Sequence, residues 1–79
     1  VNILTFKVFL YINGFEQKAL NDFRLFYAKK DTKVVIHKRT DLIEVINKNA
    51  IVRSVFYTKP EHAMDRIHLI WRSNDLWGI

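Results

Sequence analysis

Short runs rich in β-branched and aromatic residues recur along this chain, each closed by turn-forming residues at intervals of roughly eight to twelve positions. That rhythm predicts a mostly β domain: an antiparallel meander or small barrel or sandwich with at most one or two short helices, a β-rich α+β arrangement being its variant. The organising stretch is Ile51–Arg72, which holds two such runs. In Asp65–Arg72 the residues Ile67, Leu69 and Trp71 fall on one parity and Arg66, His68 and Arg72 on the other, the period of a half-buried strand, with Ile70 as the exception. Ile51–Thr58 reads as the strand before it. Lys59–Met64 connects the two, and Pro60 suits the first position of a helical turn.

From the N-terminus, Ile3–Ile12 (ILTFKVFLYI) is apolar on both parities and reads as a well-buried strand. Asn13-Gly14 then predicts a tight hairpin, because both central residues of a type I′ turn need positive φ. Phe15–Leu20 returns beside the first strand in this reading; its Glu, Gln, Lys, Ala and Leu also favour a helix, which is the competing assignment. Asn21-Asp22 marks a turn, Phe23–Lys30 a third strand and Lys33–Arg39 a fourth, paired across the break at Asp31-Thr32. Thr40–Ala50 is open between a helix capped by Thr40 or Asp41 and a strand limited to Leu42–Ile46; its β-branched content leans toward strand. Ser73–Ile79 is a tail with Leu76, Trp77 and Ile79 as anchors for docking on the core or on a neighbour.

With 79 residues the chain makes one domain, near the size where a single core only just suffices, yet 49% of its residues are hydrophobic and 14% aromatic. There is no cysteine, so neither a disulfide framework nor a thiolate metal site contributes. The longest apolar run, Val8–Ile12, is far short of the roughly 20 residues of a membrane span. The apolar N-terminal segment lacks the basic start and small-residue cleavage site of a signal peptide, and a cytoplasmic protein is expected.

The formal net charge of +5 permits an anionic partner. If the predicted strands share one sheet, their polar parities gather Arg24, Lys33, His37, Arg39, Arg53, Tyr57, Arg66, His68 and Arg72 on one face, together with Phe26 and Lys30. Cationic groups pair with phosphates, and aromatic rings accept unstacked bases, so RNA or single-stranded DNA is the ligand such a face suits. Arg53, Arg66, His68 and Arg72 are the expected backbone contacts and Tyr57 the stacking residue. A bland reading competes: a solvated sheet face needs polar residues, and Lys and Arg guard strand edges.

Two further function classes follow. Eleven aromatics and a first run apolar on both faces exceed what so small a core can enclose, which predicts a homo-oligomer or a protein-interaction module. In that reading the chain is an inhibitory accessory protein, of the kind carried by phages or mobile elements, whose basic face masks an acidic partner. The third class is a metal-independent RNase of toxin type, by analogy of size and charge, with His37 or His68 as base or acid and Arg53, Arg66 or Arg72 as stabilisers. His62, Asp65 and His68 match no metal-ligand spacing, no constellation supports Ser54 or Ser73 as a nucleophile, and the two glycines stand apart from any phosphate-cradling loop. A binding protein without metal or cofactor is the expectation.

Overall fold

A computed structural model describes the backbone of residues 2–48, 51 and 53–77, and the side chains of these apart from 19, 20 and 72–77. Two helices bracket five strands in the order α1 (Ile3–Ile12), β1 (Glu16–Leu20), β2 (Arg24–Lys29), β3 (Thr32–His37), β4 (Leu42–Asn47), β5 (Ser54–Tyr57) and α2 (Pro60–Trp77). The strands form one antiparallel meander, each paired with its neighbour in sequence. The domain is therefore α+β with an open sheet. A barrel does not form, because the two segments expected to supply its first and last strands are both helical.

The first of these departures is local in origin. Asn2 stands in extended conformation, and its Oδ1 accepts from the backbone N–H of Thr5 at 2.8 Å, satisfying a donor that the first helical turn leaves unpaired. At the other end Gly14 takes φ +83°, the left-handed conformation that costs a residue without Cβ nothing. Its N–H reaches Tyr11 O at 3.1 Å and that of Phe15 reaches Leu10 O at 2.9 Å, the paired bonds of a Schellman motif, with Phe15 and Leu10 both buried as its apolar contact. Asn13-Gly14 thus stops a helix where the sequence reading has it reverse a strand, and β1 pairs with β2 instead of with the first segment.

The middle of the meander follows its turn residues. Asn21 Oδ1 accepts from the N–H groups of Phe23 and Arg24 at 2.8 and 2.7 Å, closing the link from β1 to β2. Lys30, at φ 51°, turns the chain between Lys29 and Thr32, which face each other across the β2–β3 hairpin. Residues 38–41 connect β3 to β4, with Asp41 at φ 55°, and the open segment 40–50 resolves as a strand, Leu42–Asn47.

The last segment is the second departure. Pro60 is its first residue, as expected for a helical turn, and the turn continues for 18 residues. Ala63, Ile67 and Ile70 are buried at spacings of four and three, Met64 and Trp71 pack beside them, and Leu69 is exposed. The period is helical, and Ile70, the exception to alternation, is one of its anchors. The expected docking of Leu76, Trp77 and Ile79 lies outside the described side chains.

Both helices lie on the same face of the sheet. Phe6 and Leu10 of α1 and Ala63, Ile67 and Ile70 of α2 share one core with Leu25, Tyr27, Val34, Ile36, Ile43 and Val45. Each aliphatic side chain buried there contributes about 1.5–3 kcal/mol relative to exposure. Trp71 joins the core at its margin, edge-on to Phe15 at 6.5 Å, with Lys29 Nζ 4.3 Å from its ring centre and also donating to Asn13 O at 2.6 Å. Among the described residues no helix is long and apolar enough to cross a membrane.

Candidate nucleic-acid interface

Among the described residues no helix covers the other face, and strand register determines what stands on it. Its central row crosses four strands as Phe26, Val35, Glu44 and Phe56. On one side lie Arg24, His37 and Leu42; on the other, Ala28, Lys33, Ile46 and Ser54, with Glu16 of β1 beside Ala28. Neighbouring strands are about 4.8 Å apart, so Phe26 and Phe56 stand roughly 14 Å from each other across the sheet.

The row is aromatic at both ends and closed in the middle. Val35 is only 4% exposed although no other described element covers it, flanked by its cross-strand neighbours Phe26 and Glu44. Phe56 is 54% exposed and leaves much of its ring to solvent. The cations sit on or beside rings: Lys33 Nζ lies 5.4 Å from the centre of Phe26, and Arg39, in the β3–β4 turn, has its guanidinium carbon 4.9 Å from that of the exposed Phe23. Arg24 is exposed on the same face. Positive charge and ring surface are therefore offered together, the pairing that a sugar-phosphate chain with unstacked bases requires.

Glu44 is half-buried at the centre. Ser54 Oγ donates to its Oε2, and His37 Nε2 lies 3.8 Å from its Oε1, an ion pair whenever the imidazole carries its second proton. The His37 ring is 6.0 Å from that of Phe56, and its Nε2 is buried without a hydrogen-bond partner. The outermost strand adds an exposed pair, Lys18 Nζ to Glu16 Oε2 at 2.8 Å; the Lys18 ammonium, by hydrogen bond and charge, holds the Glu16 carboxyl below its ordinary pKa.

The cations expected on one surface are divided between two. Arg24, Lys33 and His37 share the open face, and Arg39 stands at its rim. Arg53 is exposed immediately before β5. Tyr57 aligns with Ile43 and packs half-buried against the core, on the helix side of the sheet; the aromatic that β5 presents to the open side is Phe56. Arg66 and His68 belong to α2, where the His68 ring meets Phe9 edge-on at 5.1 Å. Arg72 also lies in α2, and its side chain is outside those described. A strand period places Arg66, His68 and Arg72 beside the sheet cations; the observed helix carries them into the other layer. Sequence alternation selects neither Phe56 nor Phe23 for this face; the register of β5 against β4 selects Phe56 over Tyr57.

Among the described residues, no three His, Cys, Asp or Glu side chains are grouped closely enough to hold a metal ion. An open pocket of about 380 Å³ beside the first strand, lined in part by Lys18, Lys29 and Lys30, is a structural corner: Lys18 pairs with Glu16, while Lys29 and Lys30 lie over Trp71. No family model matches the chain, and no curated protein or solved structure matches it either.

Proposed function

We propose that this domain binds single-stranded nucleic acid, RNA or DNA, on the open face of its sheet, as a cytoplasmic binding protein. The observation that carries the reading is the row Phe26–Val35–Glu44–Phe56 with Arg24, Lys33 and Arg39 around it, uncovered by either helix. Phe26 and Phe56 are the stacking platforms, and Arg24, Lys33 and Arg39 the phosphate contacts. The half-buried Glu44 carboxylate is an acceptor for base amino groups that face it. On the open face binding without cleavage is favoured over the RNase reading, because a general base must reach the proton it removes and the Nε2 of His37, the histidine of that face, is buried against Glu44.

The test is fluorescence anisotropy of a labelled mixed-sequence single-stranded RNA at low and moderate salt. Affinity is expected to fall with salt, and to drop by about tenfold or more in Phe56→Ala, the scale of one base-stacking contact. An Arg24→Ala, Lys33→Ala double variant should bind more weakly and with a shallower salt dependence, while Arg66→Ala on α2 should leave binding intact. Binding that survives the sheet variants and is lost in Arg66→Ala would move the interface to the helical layer. No binding at either salt would overturn the reading and leave an acidic protein as the partner to pursue.

A further inference from the structure

Among the described residues, a further run of exposed apolar side chains lies on helix α1, in the helical layer. Helix α1 buries Phe6 and Leu10, yet Leu4, Val8, Tyr11 and Ile12 are 69%, 49%, 79% and 74% exposed. At 100° per residue these four fill one stripe about 100° wide, directed away from the core. Only one charged residue, Lys7, occurs in the ten-residue helix, and it is half-buried beside the stripe. At about 200 Å² for a large side chain, the exposed fractions amount to roughly 500 Å² of contiguous apolar surface, at the upper end of what monomeric proteins leave uncovered.

We propose that a second copy of this chain covers this stripe, with α1 packing antiparallel on its own copy about a two-fold axis at Val8. Leu4, Val8 and Ile12 form a single apolar row of i±4 spacing along the exposed side of α1. The row is symmetric about Val8. A two-fold rotation there sets Val8 on Val8 and Leu4 on Ile12 of the copy, so the surface is complementary to itself, the requirement of an isologous dimer. The stripe itself carries no charge. The two stripes together supply roughly 1,000 Å², the lower bound of a specific interface, which makes a dimer of micromolar affinity the fitting outcome. A lipid surface fits less well: interfacial helices are rich in Lys and Arg on their polar face, whereas the opposite face of α1 is packed in the core. Both protomers carry a net +5, so the dimer should tighten with salt, opposite in sign to nucleic-acid or anionic-lipid binding.

Sedimentation equilibrium over a micromolar to submillimolar range, without nucleic acid, tests this apart from the proposed ligand. The wild-type chain should dimerise, and Val8→Glu should weaken the dimer more than about tenfold while its circular dichroism is unchanged. The chain has no cysteine, so Val8→Cys provides a second reading. Under mild oxidation it should form a disulfide-linked dimer, whereas Leu4→Cys should not pair with itself, because antiparallel packing puts the two copies of residue 4 about 12 Å apart. A wild-type chain that stays monomeric throughout, a Val8→Glu variant that dimerises undiminished, or a Leu4→Cys variant that cross-links as readily as Val8→Cys would each overturn the proposal. A monomer that cosediments with anionic vesicles would overturn it in favour of lipid.

Discussion

The two faces of the sheet are built from alternate residues of the same strands, yet they solve different problems. On β3, Val34 and Ile36 face the helices within a core that takes in a dozen of the described residues, whereas Val35, between them in sequence, is buried on the uncovered side beside its cross-strand neighbours. On the covered face burial is collective. On the open face it is one side chain deep, so rings and cations remain at the surface, where a ligand can meet them. Stability is therefore concentrated on one parity of each strand and the proposed recognition on the other, and substitution at neighbouring positions should separate the two.

The largest effect belongs to the covered face. Ile43→Ala removes a fully buried side chain between sheet and helices and should cost about 3–4 kcal/mol in chemical denaturation, transfer and cavity terms together. A loss below about 1 kcal/mol would mean that the helices do not close over it, and the contrast between the faces would fail. Val35→Ala, one layer deep on the open side, should cost about 1–2 kcal/mol by the same denaturation measurement. A cost equal to that of Ile43→Ala would show a second core where an open surface is described.

The smallest effect is a pH dependence on the covered side. Burial raises the pKa of the Tyr27 hydroxyl above its ordinary value of about 10. The folded chain thus holds that proton more tightly than the unfolded chain. The contribution is fully present below pH 10 and is lost as pH rises from there through the folded-state pKa. Stability measured against pH should show this alkaline decline in the wild-type chain and less of it in Tyr27→Phe. Identical profiles would mean that the phenol gains nothing from its side of the sheet.

How far these features are legible in the sequence depends on the range of the forces that set them. The hairpin of β2 and β3 is legible from local signals: Asn21 bonds to Phe23 and Arg24, and the chain reverses at Lys30-Asp31, one residue before the Asp31-Thr32 break of the sequence reading, which leaves β4 open between helix and strand. Arg24, Lys33 and His37 fall on one face in sequence and structure alike, alternation within a strand being a local property. The ends of helix α1 were also written locally, in Asn2 and Gly14. ILTFKVFLYI itself is apolar at a period of two and of 3.6 alike, and β propensity favours the wrong choice.

Local signals alone thus carry the β-rich class, the Asn21-Asp22 turn and the parity of β2 and β3. The tertiary structure decided that the first and last segments are helices, that the sheet stays open, and that Phe56 faces outward while Tyr57 faces the core. Those outcomes depend on which surface a side chain is buried against. Ile70 is a defect in a strand and an anchor in a helix, and only the Ile67–Phe6–Ile43 core on one side of the sheet makes the second arrangement bury more apolar surface than the first.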